Sequence, residues 1–342
     1  MTKQTLKNAV LSAGLLGLAL STSTGLAQSQ GLRGVSRPQS GAASAAKLSE
    51  SAVPQASASY AYTFISFPGG PATGGNAMNL GATASQQMVT GYYGPLSTSR
   101  GFLLEASTGD GVTTETFSPV DYPGGVFNEA TGINDEGQIL GAYTDSAGTI
   151  HGYELAGGKY TQLNVPFTGA DGTLPYAIND AGNIVGDWYL SGAEFPFGFE
   201  LSGGTYTSLQ FPGSNETDAF AINDNNDIVG IYYLADSPLG FLLSGGTYTT
   251  IEVPGSVLTE AFAINDAGVV VGFYCTTSAC GTSVGAKGSL GFLLSNGVYT
   301  TFSYPAKGVV STQLLAISNT GVILGTFTDS ANFSQLFLAV PK

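Results

Sequence analysis

From residue 60 onward, short apolar runs alternate with clusters of Gly, Asn, Asp and Pro, and one order of runs recurs six times. The fourth copy is the cleanest: Tyr206 to Pro212, then Ala219 to Asp224, Ile228 to Tyr232 and Gly240 to Leu243. Runs this short, rich in β-branched and aromatic residues and bounded by turn formers, predict strands rather than helices. They are lettered a to d in each copy. Strand a ends on a proline in all six (Pro68, Pro123, Pro166, Pro212, Pro254, Pro305). Proline has no N–H to give a ladder, so it marks where the chain leaves the sheet. Strand b carries Ile-Asn-Asp at 133–135, 178–180, 222–224 and 264–266, weakens to Ile317-Ser318-Asn319, and is barely recognisable around 76–84. Gly137, Gly182, Gly268 and Gly321 follow, which predicts a tight turn whose Asn and Asp side chains bond their own backbone. Calcium loops space their carboxylates over a longer segment, so the turn is the expectation here and no metal is assigned.

Strand c holds a glycine and, two residues on, an aromatic: Tyr93, Tyr143, Trp188, Tyr232, Tyr274 and Phe327. Strand d adds Phe102, Tyr153, Phe199, Phe241, Phe292 and Phe337. Aromatics repeating at one register predict filling between neighbouring sheets in preference to sugar-stacking platforms. Gly-Gly and Asn-Gly pairs join each d to the following a as hairpins, so one sheet reads b-c-d-a. The chain therefore begins with an unattached strand a, Tyr62 to Pro68, and ends with a strand d, Ser334 to Val340. Placing the two side by side supplies the missing fourth strand and hides two open edges. The predicted fold is all-β: a six-bladed β-propeller, four strands per blade, its ring closed by the N-terminal strand joining the last blade. Small residues alternating along strand b (Ala219 and Ala221, Ala261 and Ala263) suit the crowded position near the axis, with strand a the alternative inner strand.

The runs Ala177-Ile-Asn-Asp-Ala-Gly-Asn-Ile-Val-Gly186 and Gly240-Phe-Leu-Leu-Ser-Gly-Gly-Thr-Tyr-Thr249 resemble the bacterial extracellular HAF-repeat family. The His-Ala-Phe triplet of that name is replaced here by Ile150-His151-Gly152-Tyr153, Pro196-Phe197-Gly198-Phe199 and Pro238-Leu239-Gly240-Phe241. The resemblance covers 60–342 and implies an exported, propeller-like repeat protein, with no activity attached.

The N-terminus agrees with export. A basic start (Lys3, Lys7), an apolar run from Ala9 to Leu20 and the small-residue end Gly25-Leu26-Ala27 predict a signal peptide over 1–27, cleaved after Ala27. The apolar run is too short to span a bilayer, so no membrane insertion is expected. Residues 28–59, mostly Ser, Ala, Gly and Gln, read as a disordered linker, and 60–342 as one propeller domain released to the periplasm or medium. After position 50 five basic residues face 23 acidic ones, a balance that repels phosphate backbones and excludes nucleic acid as a partner. Cys275 and Cys280, in an exported chain with a single histidine, predict a local disulfide rather than a metal site.

Chemistry is sparse. One histidine, His151, gives no triad, the Gly-Gly pairs sit in hairpins rather than phosphate loops, and no cofactor is implied. The residue preceding strand b's first small position reads Asn76, Glu129, Leu174, Asp218, Glu260 and Gln313. With b innermost these ring one mouth of a central channel, where three acids and two amides can bind a cation, a sugar or a basic peptide; as solvated strand starts they do nothing. Two functions stay open. One is a monomeric, non-catalytic binding or scaffolding module for a glycan or protein. The other is a secreted polysaccharide-active hydrolase or lyase using carboxylates at one mouth, which gains if the insertions 105–116, 168–175 and 274–290 converge there.

Overall fold

The computed structural model describes residues 60–342 apart from 66–72, 95–97, 110–111, 192, 194, 235–237, 279 and 281–286. The expected signal peptide (1–27) and linker (28–59) lie outside the described residues. Within them the chain is all-β, with 24 strands and no α-helix.

A short strand, β1 (Tyr60–Ile65), comes first. The first set of four is β2 (Thr73–Met78), β3 (Gln86–Tyr93), β4 (Arg100–Gly109) and β5 (Val112–Val120). The second is β6 (Phe127–Ile133), β7 (Ile139–Thr144), β8 (Ile150–Ala156) and β9 (Lys159–Leu163); the third is β10 (Ala170–Ile178), β11 (Ile184–Leu190), β12 (Phe197–Ser202) and β13 (Thr205–Leu209). The fourth is β14 (Glu216–Ile222), β15 (Ile228–Tyr233), β16 (Pro238–Ser244) and β17 (Thr247–Ile251); the fifth is β18 (Leu258–Ile264), β19 (Val270–Cys275), β20 (Leu290–Ser295) and β21 (Val298–Phe302). Last come β22 (Val309–Ile317), β23 (Ile323–Asp329) and β24 (Ser334–Pro341). Each set is an antiparallel meander in the order b-c-d-a. Single parallel bridges, Gly172 to Ile150 and Phe197 to Thr217, link the second, third and fourth sets. The sixth set takes its fourth strand from the front of the chain: β1 pairs antiparallel with β24, from Tyr60 opposite Pro341 to Ile65 opposite Leu336.

The punctuation behaves as local chemistry requires. Both central residues of the d–a hairpins of the second to fifth sets lie at positive φ, for example Gly203 at 55° and Gly204 at 78°, the geometry of a type I′ turn that matches strand twist. The six strand-d aromatics are fully buried between sets, and Tyr143, Trp188, Tyr232, Tyr274 and Phe327 of strand c are buried too. Tyr122 stacks on Tyr143 at 4.0 Å and Phe211 on Tyr232 at 3.6 Å, joining the end of one set to the second strand of the next. Strand b is innermost. A cavity of about 50 Å³ on the common axis is lined from all six sets, by Ala77, Gly132, Ala177, Ala221, Ala263 and Ala316 among others.

The Ile-Asn-Asp motif does more than shape a turn. The side-chain oxygens of Asn134, Asn179, Asn223 and Asn265 accept the N–H of Gln138, Asn183, Asp227 and Val269 at 2.8–2.9 Å, closing their own hairpins. The amide nitrogens of the same four side chains reach sideways. Asn134 donates to the Asn179 carbonyl at 3.1 Å, and Asn179, Asn223 and Asn265 donate to the carbonyls of Asn223, Asn265 and Ser318 at 3.0 Å each. In parallel, the N–H groups of Asp135, Asp180, Asp224 and Asp266 donate to side-chain oxygens of Asp180, Asp224, Asp266 and Asn319 at 2.8–2.9 Å. The series returns to the first set, where Asn319 N–H donates to the Leu80 carbonyl at 2.7 Å and Asn79 donates to Asp135 at 2.7 Å. One side-chain amide thus accepts within its own turn and donates to the neighbouring set, which an ionised aspartate, an acceptor only, cannot do.

Asn223→Ala is expected to lower stability by about 2–3 kcal/mol, because the Asn265 carbonyl and the Asp227 N–H lose their partner in a buried position. Urea unfolding measures this, and a loss under about 0.5 kcal/mol contradicts the ladder's role.

Candidate functional site

Antiparallel meanders put the a–b and c–d connections at one end of the axis and the Asn-Asp turns at the other. In all six sets strand b carries a β-bulge at one position, between Gly75 and Ala77, Ala130 and Gly132, Pro175 and Ala177, Ala219 and Ala221, Ala261 and Ala263, and Leu314 and Ala316. A bulge re-aims side chains, and here it turns Tyr176, Phe220 and Phe262 onto the axis. Their rings lie 5.5 Å and 5.2 Å apart in sequence and block the axis with an aromatic layer. The bulge also presses a strand-b carbonyl against the strand-c glycine. A Cβ at Gly230 or Gly272 would stand 1.9 Å from the carbonyl oxygen of Asp218 or Glu260, which is why strand c has glycine there.

The expected mouth residues occupy the turn of strand above this layer, with one shift of register. Gly74, opposite Tyr92, is the counterpart of Glu129, opposite Ala142; Asn76 sits two residues further along, at the bulge. The sequence alignment slipped because Gly74-Gly75 lacks the small-after-polar signature of the other copies. The residues are not a solvated rim either. Asn76, Glu129, Asp218, Glu260 and Gln313 are only 0–5 % exposed; Gln313 stands opposite Thr326, and the other four divide into two groups.

In the first group Asn76 Nδ2 donates to Glu129 Oε1 at 3.1 Å and to the Ala130 carbonyl at 2.8 Å. Burial pushes the Glu129 carboxyl up to about 8, against the hydrogen bond from Asn76. The second group contains residues that sequence reading missed. Asp187 on β11 faces Leu174 on β10, so here the acid has moved from strand b to its strand-c partner. The signal was legible: the equivalent residues are Tyr92, Ala142, Ile231, Phe273 and Thr326, none of them charged. Asp187 shares a hydrogen bond with Asp218 and takes others from Tyr176 and from Ala219 N–H. Burial raises Asp187 to about 7, and burial with the adjacent Asp187 charge raises Asp218 further, so the pair holds a proton at neutral pH. Glu260 is fully buried, neither of its carboxyl oxygens has a hydrogen-bond partner, and burial followed by Asp218 and Glu216 drives its pKa well up. Glu216, 7 % exposed, stands two residues above Asp218 toward the end of the axis.

The same end carries the rest of the unassigned chemistry. Cys275 and Cys280 are joined in the expected disulfide, which packs into the axial apolar cluster with Leu258, Phe262 and Phe273. The hydroxyls of Thr173, Thr217, Thr259 and Thr312 accept the N–H of Val165, Phe211, Val253 and Tyr304, each just before a strand-a proline, and pin the a–b connections. Of seven exposed large apolar residues among the described ones, six lie at this end: Phe64, Val126, Phe195, Leu234, Val257 and Phe333; Val298 is at the other. The insertions divide as well. Residues 168–175 and the described residues of 274–290 belong to this end, whereas the described residues of 105–116, in β4 and β5, run to the opposite one. His151 is held by Asp145 at 3.1 Å and Asn164 at 3.3 Å, away from the acids. Among the described residues, no three His, Cys, Asp or Glu side chains are grouped to hold a metal ion.

No protein-family model matches the chain, and no curated protein matches it. Solved structures similar to it include virginiamycin B lyase from Staphylococcus aureus (12 % identity, 81 % of this chain and 88 % of that one, TM-score 0.41). Others are the β-propeller domain of the trilobed protease from Pyrococcus furiosus (8 %, 79 % and 94 %, 0.46) and the fucose-specific lectin from Aleuria aurantia (12 %, 77 % and 90 %, 0.46). At these scores no residue role or ligand passes from them to this chain.

The buried acids set a pH dependence. Glu129 and Asp187 keep protons in the folded chain at pH values where the unfolded chain has lost them. Stability is therefore fullest below the ordinary carboxylate range and falls as pH rises toward 7 and 8, by about 1.4 kcal/mol per unit for each group in that window. The urea midpoint should fall between pH 5 and 8, and Glu129→Gln should flatten the slope and exceed the parent at pH 8. A midpoint that is flat or rises over this range contradicts burial as the cause.

Proposed function

We propose that the chain is an exported, non-catalytic binding module: a six-bladed propeller whose ring is closed by the pairing of β1 with β24, acting through the end where the a–b and c–d connections meet. Closure is supported by that pairing and by the return of the turn ladder from Asn319 to Leu80. Export is supported by the disulfide and by the N-terminal pattern, and the HAF-repeat resemblance agrees with it. The observation that carries the binding reading is the asymmetry of the two ends: six exposed apolar side chains at one, a self-satisfied hydrogen-bond ladder at the other. Apolar side chains left in water on one face mark a surface that is covered in use. The ligand class is a glycan or a protein.

The runner-up, a polysaccharide-active enzyme, rests on the Asp187–Asp218 pair with Tyr176 beside it. Against it, the two aspartates are 1 % and 5 % exposed, and a glycosidic bond lies within the polymer's own backbone, with no long side chain to carry it down to them.

A glycan array and a panel of exported proteins, probed with the purified chain, test the proposal. A ligand should emerge whose affinity falls at least tenfold in Val257→Asp with Phe333→Asp and is unchanged in Val298→Asp. Binding that responds only to Val298→Asp, or depolymerisation of a polysaccharide that Asp218→Asn abolishes, overturns it.

A further inference from the structure

The acids beneath the apolar end are arranged as half of an ion pair. Asp218 and Glu260 lie at one register on adjacent innermost strands, opposite Ile231 and Phe273, and Asp187 joins them from β11. Glu260 is 0 % exposed, Asp187 1 % and Asp218 5 %, and Glu216, two residues from Asp218 toward the end of the axis, is 7 % exposed. Rings line the same stretch: Phe220 stands 5.2 Å from Phe262, and Phe262 5.6 Å from Phe273, the cross-strand partner of Glu260. A carboxyl buried among aromatic faces with both oxygens unpartnered is costly unless something else pairs with it. Among the described residues none supplies that partner: Arg100 pairs with Asp121, and no lysine or arginine pairs with Asp187, Asp218 or Glu260.

We infer that this cluster receives one cationic side chain, a lysine or arginine, of a partner polypeptide that docks on the apolar end with flanking apolar residues. The inference rests on the binding-module reading and names its partner class. Carboxylates with aromatic faces beside them are the natural receptor for an ammonium or guanidinium group. The surrounding Val126, Leu234, Val257 and Phe333 call for apolar neighbours on the same ligand, which a free amine or a sugar lacks. A second copy of this chain, at a formal net charge of −14, is repelled rather than attracted. Burying the cation there also explains why four acids are kept together at a site where their mutual repulsion and desolvation oppose folding.

Three acetylated, amidated pentapeptides, Phe-Leu-Lys-Leu-Phe, Phe-Leu-Arg-Leu-Phe and Phe-Leu-Gln-Leu-Phe, titrated calorimetrically into the full chain at pH 7, provide the test. The cationic peptides should bind at least tenfold more tightly than the glutamine peptide. That preference should vanish in Glu260→Gln and in Asp218→Asn, with the glutamine peptide's affinity unchanged and neither variant melting below the parent. No preference in the parent, or a preference that survives both substitutions, overturns the inference. Equal binding of all three peptides that is lost in Val257→Asp with Phe333→Asp defeats the cation site and leaves the binding module standing. If no peptide binds but an array ligand does, the inference alone falls.

Discussion

The asparagine of the strand-b turn is the constraint on which the remaining structure depends. A four-stranded sheet of some 30 residues has two faces to bury and cannot cover either alone. Aromatics from strands c and d fill the gaps between sets, but packing by itself leaves neighbouring sheets free to slide. The ladder removes that freedom at one end. Each asparagine closes its hairpin with its oxygen and fixes the neighbouring turn with its nitrogen, and the aspartate that follows repeats the link through a second bond. With the innermost strands held at one height, the six bulges fall in one layer, and the residues they turn inward meet on the axis.

That layer divides the molecule into two unlike halves. Below it, small and aliphatic side chains surround a cavity of about 50 Å³, large enough for a water or two, and no buried side-chain polar atom of the Asn-Asp turns is left without a partner. Above it, carboxyls that would ordinarily be solvated are held among rings and mostly keep their protons. Such groups oppose folding at neutral pH, so a chain that retains them has a use for them there. The exposed apolar residues at the same end, and the Cys275–Cys280 disulfide there, support the proposal that recognition belongs to this half.

Much of the fold was legible because a repeat exposes its own rules. Proline at the end of strand a, two positive-φ residues in four of the d–a hairpins and aromatics at fixed register all speak through local chemistry. The phase of the repeat, an a too many at the front and one too few at the back, pointed to the β1–β24 pairing before any coordinates. What was not legible is lateral. The turn asparagine was read as a local cap, since nothing in one repeat reveals that Asn179 donates to Asn223. The bulge was equally hidden, and with it the register that puts Gly74 rather than Asn76 beside Glu129. The acids were found in part: Glu129, Asp218 and Glu260 by their shared position, whereas Asp187 escaped because its charge had crossed to the partner strand. Their burial could not be read at all, because strand starts are exposed in most sheets and only the crowding of six of them at an axis hides these.

The central claim, that the sheets form one ring locked by the turn ladder, is most directly tested by hydrogen exchange followed by mass spectrometry on the intact chain. A locked ring opens as a unit, so β1, β24 and the turns at Asp135, Asp180, Asp224 and Asp266 should exchange with one common protection that collapses together as urea is raised. Protection that is high in the middle sets and declines stepwise toward β1 and β24 is the signature of an open stack, and contradicts the account.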